Sequence, residues 1–193
     1  MEPHSQNEEA LIRASQEGVE TAFRELMLKY IEAIYNFAKQ YSKTEDDAED
    51  ITQDTFFKAW KHLKNFDAEK PLKPWLYAIA RNTALDHIKR RRSSAFSELD
   101  GNDTELQFSD TLEDEEPLAD EEFEKREIAE EVSEALKTLD PDHRAVMEMH
   151  YREDLTFNEI AEVMKKPMNT VKSWHRRALG RIRSLFGSDR DTN

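Results

Sequence analysis

The chain has 193 residues, no cysteine, only 4 glycines and a formal net charge of −14. Without cysteine there is no disulfide framework, no thiolate nucleophile and no thiolate zinc site. No run of about 18 apolar residues exists to span a membrane as a helix, and so few glycines argue against a turn-dense sheet protein or a Gly-rich phosphate loop.

The start, Met1-Glu2-Pro3-His4, does not read as a secretory signal. A short helix is expected near Asn7 to Gln16. From Gly18 to Ser42, the residues Ala22, Phe23, Leu26, Tyr30, Ile31, Ile34, Phe37, Ala38 and Tyr41 recur at spacings of three and four. That is one wide apolar face at helical period. Thr44 followed by Glu45, Asp46 and Asp47 reads as a capping box with an acidic first turn. The helix it opens directs Ala48, Ile51, Thr55, Phe56, Ala59, Trp60 and Leu63 inward. Asn65 to Lys73 breaks the pattern, and Pro74 suits the first turn of the next helix. That helix carries Trp75, Leu76, Ile79, Ala80, Ala84, Leu85 and Ile88 into the basic run Lys89 to Arg92. Residues 1–96 therefore form one helical domain with nearly balanced charge.

Residues 97–131 hold 16 acidic side chains against 2 basic ones, so the whole negative excess sits there. Such a segment repels itself and has too little apolar surface to offset chain entropy. It is expected to be a flexible tether spanning roughly 30–35 Å as a coil and up to about 115–125 Å when stretched.

A helix from about Phe123 to Leu139 opens the last part. A second, Pro141 to Tyr151, carries Ala145, Val146 and Met149. A third, after Thr156, buries Ile160, Ala161 and Met164. The turn Lys165-Lys166-Pro167-Met168 follows, and Asn169 is expected to cap a final helix with Val171, Trp174, Ala178, Ile182 and Leu185 inward. Residues 132–188 are the second expected domain. Lys165 to Arg183 holds seven basic residues and no acid, and local charge matters more than the acidic total because screening confines electrostatics to about 10 Å.

The strongest functional pattern is that last pair of helices. A short helix, a tight turn and a helix with small polar and basic residues at its start is a helix-turn-helix, whose second helix fits the major groove. Thr170, Lys172, Ser173, Arg176 and Arg177 fall opposite Val171, Trp174 and Ala178, placing short polar groups for bases and long cations for phosphates. The competing reading is a helical bundle with a solvated basic face. A second pattern joins Arg81, Asn82, Asp86, Lys89, Arg90, Arg91 and Arg92 to a helix displaying Trp75 and Tyr77, which suits unpaired nucleic acid. A core Trp75 beneath cations at a helix C-terminus explains it equally well. A third is the stripe Asp50, Gln53, Asp54 and Phe57, able to dock a partner helix or simply to face water. The histidines include no HExxH and no close ligand pair, so no metal site is expected. No nucleophile with its base is evident, so no enzyme activity or cofactor is expected either.

These segments together resemble the bacterial RNA polymerase sigma factors of the extracytoplasmic-function (ECF) group. The resemblance rests on Ala48-Glu49-Asp50-Ile51-Thr52-Gln53-Asp54-Thr55-Phe56 with Ala59-Trp60, Phe66-Asp67, and Pro74-Trp75 through Asp86. In the C-terminal part it rests on Leu139-Asp140, Arg144, Glu159-Ile160-Ala161 and Thr170-Val171-Lys172-Ser173. It implies an all-α, two-domain, cytoplasmic promoter-recognition subunit. The N-terminal domain would contact the −10 element, help open the duplex and capture a flipped base through Phe66 to Lys73, including Lys70, with Trp75, Arg81, Asn82, Asp86, Lys89 and Arg90. Asp50, Gln53, Asp54 and Phe57 would dock on the core polymerase. The helix starting near Thr170 would read the −35 element. The two elements lie about 60–70 Å apart along the duplex, a distance an extended acidic tether can bridge. In the polymerase the tether would mimic RNA charge; in the free protein it would mask the Lys165–Arg183 cations.

Family members are often held by an anti-sigma partner, which the resemblance implies here without assigning residues to it. The sequence departs from the family at Lys165-Lys166, usually Gly and an aliphatic, at Asn169, usually Gly, and at Trp174, often Arg. The rival readings are a stand-alone helix-turn-helix regulator and a helical adaptor for acidic proteins.

Overall fold

The computed structural model describes residues 3–98, 136 and 138–187. The expected tether lies outside these residues apart from its first two, and so does most of the helix expected from Phe123. Among the described residues there are seven α-helices and no strand. They are α1 (Pro3–Gln16), α2 (Glu20–Lys39), α3 (Glu45–Leu63), α4 (Leu72–Glu98), α5 (Pro141–Tyr151), α6 (Phe157–Met164) and α7 (Met168–Gly187). The chain falls into two compact units, the first built on α1 to α4 and the second on the bulk of α5 to α7.

In the first unit, α1 ends in a Schellman turn. Gly18 adopts φ +94, and Val19 N–H donates to Ala14 O at 3.0 Å while Gly18 N–H donates to Ser15 O at 3.0 Å. A residue with a Cβ is strained in that conformation, so glycine is what lets α1 turn into α2. Thr44 caps α3, its Oγ1 accepting from Asp47 N–H at 3.1 Å, while the Asp47 carboxylate reaches back to Lys43 N–H at 3.4 Å, one residue before the cap that a capping box would engage. Pro74 sits in the first turn of α4, where its missing N–H removes no helical bond.

The core forms where α2, α3 and α4 meet. Leu26, Ile34 and Phe37 of α2 are buried with Ile51, Phe56 and Ala59 of α3 and Leu76, Tyr77, Ala80 and Ala84 of α4. Phe37 and Tyr77 pack edge to face with ring centroids 4.9 Å apart, and the Tyr77 hydroxyl donates to Ala33 O at 3.3 Å. Each large side chain buried this way contributes about 1.5–3 kcal/mol. The buried hydroxyls of Thr52 and Thr55 donate to Ala48 O and Ile51 O at 2.7 and 2.6 Å, so α3 carries them at little cost.

Three expectations are corrected here. Ile31 and Trp60, read as core, are 41% and 38% exposed, because the apolar arcs of α2 and α3 are wider than the surface that α4 covers. Tyr77, read as displayed, is fully buried. The Lys89 to Arg92 run is not at a helix end, since α4 continues to Glu98, so the helix dipole does not account for those cations.

In the second unit, Ala145, Val146 and Met149 of α5 are buried, as are Leu155, Ile160, Val171 and Ala178. Thr156 and Glu159 form a reciprocal capping box for α6: Thr156 N–H donates to Glu159 Oε2 at 2.8 Å, and Glu159 N–H to Thr156 Oγ1 at 3.3 Å. A second Schellman turn ends α6, with Lys166 N–H donating to Ala161 O and Lys165 N–H to Glu162 O. Its left-handed residue is Lys165, at φ 49. Asn169 neither caps nor takes left-handed geometry: α7 begins at Met168, and Pro167 O accepts from the N–H groups of Thr170 and Val171 at 2.8 and 3.2 Å.

Candidate nucleic-acid and partner interfaces

On α3, Asp50, Gln53, Asp54 and Phe57 are all exposed along one stripe, with Phe57 at 67%. Gln53 and Phe57 also line a groove of about 460 Å³ between α2 and α3, together with Phe23, Met27, Ile31 and Trp60. Phe23 and Trp60 pack with ring centroids 4.7 Å apart along it. An open apolar groove beside exposed acids is suited to an amphipathic helix. The stripe was legible in the sequence; the groove was not, because Ile31 and Trp60 fit the core pattern equally well.

Between α3 and α4 the chain makes an ordered loop. Phe66 packs on Trp75 with ring centroids 4.7 Å apart, both rings half-buried. Asp67 Oδ1 accepts from Glu69 N–H at 3.1 Å, and Asp67 O from Lys70 N–H at 2.9 Å, leaving Lys70 exposed and Lys73 half-buried. Farther along α4, Asn82, Asp86, Lys89 and Arg90 are exposed at near-helical spacings, which puts them on adjoining parts of one face. Arg81 departs from this group: it is 8% exposed and belongs to the packing of the unit. Lys58, which the sequence did not single out, reaches this face from α3. Its Nζ donates to Thr83 Oγ1 at 3.0 Å and lies 3.7 Å from Asp86 Oδ2.

Asp47 ties the start of α3 to the basic stretch of α4. Its Oδ1 lies 3.1 Å from His87 Nε2, and its other oxygen is paired with Arg91. Burial raises the Asp47 carboxyl, but the His87 and Thr44 hydrogen bonds, the Arg91 charge and the Lys43 N–H together outweigh it and hold it below its ordinary value.

In the second unit, Lys172, Arg176 and Arg177 are exposed on α7, while Val171 and Ala178 of the same helix are fully buried. Thr170 and Ser173 are half-buried. The first three turns of α7 therefore offer water long cations flanked by short hydroxyls. Lys172 Nζ also stands 5.9 Å from the centre of the Phe157 ring. Phe157 stacks on His150 with centroids 4.4 Å apart, and His150 meets His175 edge to face at 5.2 Å. His150 Nδ1–H donates to Leu155 O at 3.0 Å. The Tyr151 hydroxyl lies 3.0 Å from His175 Nε2. Burial, and then the neighbouring His150, pull the His175 pKa below its ordinary value. No spacing along the chain marks this aromatic cluster, whose members are brought together only by the packing of three helices. Among the described residues no cluster of three or more His, Asp or Glu side chains could hold a metal ion, and no helix is long and apolar enough to cross a membrane.

Residues 26–94 match the family model for Sigma-70 region 2, and residues 135–184 match that for Sigma-70 region 4. The chain is 31% identical over 174 residues to the RNA polymerase sigma-H factor of Pseudomonas aeruginosa, covering 87% of this chain and 88% of that one. It is 26% identical over 164 residues to the ECF RNA polymerase sigma factor SigW of Bacillus subtilis, covering 84% and 87%. Among solved structures, the sigma factor RpoE of Bartonella quintana, crystallised with the anti-sigma factor NepR, matches with a TM-score of 0.68. It is 26% identical and spans 86% of this chain and 98% of that one. The helical fold, the two family regions in order and this near-full-length similarity agree: the chain belongs to the sigma-70 family and is an alternative sigma factor of the ECF group, directing promoter-specific transcription.

Proposed function

We propose that this protein joins core RNA polymerase in the cytoplasm and carries it to promoters with two separate DNA-reading surfaces. In this reading residues 1–96 bind polymerase and the −10 element, 97–131 form the acidic linker, and 132–188 read the −35 element. The observation that carries it is the two-sided character of α7, with Val171 and Ala178 buried and Lys172, Arg176 and Arg177 exposed. A helix anchored on one side and cationic on the other is what major-groove docking requires. Thr170 and Ser173 supply short polar groups for base edges.

The −10 surface comprises Phe66, Lys70, Lys73, Trp75, Asn82, Asp86, Lys89 and Arg90. Arg81 supports it from within the unit, and Lys58 joins its edge. The half-buried Phe66 and Trp75 frame a loop rather than offering a free stacking platform. The polymerase surface comprises Asp50, Gln53, Asp54 and Phe57 with the adjoining apolar groove. An anti-sigma factor restrains the free protein, as NepR is bound to the Bartonella relative. The chain itself performs no chemistry; polymerase does.

Run-off transcription with core polymerase tests this. Core plus this protein should give a promoter-dependent transcript, and neither alone should. Phe57→Glu should abolish the transcript by weakening core binding while leaving the fold intact. Specific duplex binding by the isolated protein, with no effect on polymerase, would instead establish the stand-alone regulator.

A further inference from the structure

The loop between α3 and α4 is held at its start by a residue from a different helix. Gln16, the last residue of α1, points its amide at the end of α3. Its Nε2 donates to Leu63 O at 3.0 Å and to Phe66 O at 2.6 Å. An amide NH₂ has two protons to give, and here both go to backbone carbonyls. Leu63 O already accepts from Phe66 N–H at 2.9 Å in the turn that follows α3, so Gln16 adds a second donor to it. Phe66 O lies beyond the helix, in the loop. By bridging the two carbonyls, Gln16 fixes where the loop leaves the helix.

The base of this clamp is firm. Ile12, one turn earlier on α1, is 1% exposed, and Ser15 is buried with its hydroxyl donating to Leu11 O at 2.7 Å. Beyond the clamp, the Phe66 ring rests on Trp75 and Asp67 closes the turn with Glu69 N–H and Lys70 N–H. The exposed tip, Asp67, Glu69 and Lys70, thus stands on a frame with three supports.

We propose that Gln16 is a positioning residue for promoter recognition, holding the Leu63–Phe66 segment so that the loop presents fixed groups to an unpaired −10 base. This rests on the reading of that loop as the −10 contact. Gln16 itself touches no DNA in this account. Its effect is on the discrimination between bases, because a loop that wanders samples several alignments with any base offered to it.

The test uses full-length protein assembled with core polymerase. A promoter is first selected from a randomised library by run-off transcription with the wild-type holoenzyme. Four templates are then made that differ only at the −10 base the wild type discriminates best. Gln16→Met keeps the length of the side chain and removes both donors. Gln16→Glu keeps the shape and sets a carboxylate against two carbonyls. Both should shrink the ratio of transcript from the preferred and the poorest base by roughly fivefold to tenfold, as expected for losing one or two hydrogen bonds. Core affinity should stay at the wild-type value. Loss of folded protein lowers all four templates by one factor, so a ratio that stays at the wild-type value in Gln16→Met overturns the inference. Asp67→Ala and Lys70→Ala run alongside. If neither moves the ratio, the loop is not the −10 contact and the underlying reading has failed. If they move it and the Gln16 variants do not, the reading stands and Gln16 is only a helix cap.

Discussion

Replacing Lys172, Arg176 and Arg177 together by alanine should flatten the salt dependence of promoter binding while leaving the second unit folded. All three side chains are exposed, and each phosphate contact contributes about 0.9 to the slope of log K against log salt. Three lost contacts lower the slope by about 2.7. The affinity gap between wild-type and variant holoenzyme should then narrow by about 40-fold between 50 and 200 mM salt. Folding is affected little. Removing Arg176 and Arg177 changes stability within about 0.5 kcal/mol, and Lys172 forfeits its approach to the Phe157 ring, about 0.5–1 kcal/mol. The assay is fluorescence anisotropy of holoenzyme on a labelled duplex promoter over a salt series, beside thermal melts. A variant with the wild-type slope and a wild-type melt would refute the placement of these cations on the phosphates.

Lys165→Gly should stabilise the protein by roughly 0.5–1 kcal/mol, because glycine adopts φ 49 without the steric cost that lysine carries; chemical denaturation followed by circular dichroism measures it. Asp47→Asn should cost about 1–2 kcal/mol at neutral pH, since Asn carries no charge to pair with Arg91 and has one acceptor oxygen where Asp has two. The carboxyl is held below its ordinary value, so its stabilisation is present above about pH 4 and is lost as pH falls through the native pKa. The difference between wild type and Asp47→Asn should therefore close in acid. His175 behaves alike in sign: its pKa lies below 6.5 in the folded protein, so the unfolded chain takes up the proton first. The second unit should lose stability as pH drops below about 6.5, and His175→Gln should flatten that dependence in urea melts.

Local rules carried most of the fold. The Thr44 cap, the core faces of α3 and α5 and the helix-turn-helix all depend on spacings within one or two helical turns, which the chain displays directly. The errors at Ile31, Trp60 and Tyr77 share one cause. Ile31, Trp60 and Tyr77 are large apolar residues on helices whose apolar arcs exceed one contact surface, so periodicity marks them without deciding which are covered. Arg81 fits a cationic stripe by spacing and is nonetheless buried. Asn169 has the right chemistry for a cap, yet the turn closes earlier, on Lys165 and Pro167. Gln16 and the Asp47–His87–Arg91 cluster join residues 40 to 50 positions apart, and nothing in the linear pattern links them. The Asp50, Gln53, Asp54 and Phe57 stripe was readable from α3 alone; its apolar floor needed α2 placed beside it.

The most direct measurement is selection of promoters by the holoenzyme from a library randomised upstream of a fixed transcript. Two reading surfaces on one polymerase-bound chain predict two enriched sequence blocks about 60–70 Å apart, or roughly 18–20 base pairs. The upstream block should lose its enrichment in the Lys172, Arg176, Arg177 triple variant, and the downstream block should keep it. A single block, or two that vanish together in that variant, would contradict the account.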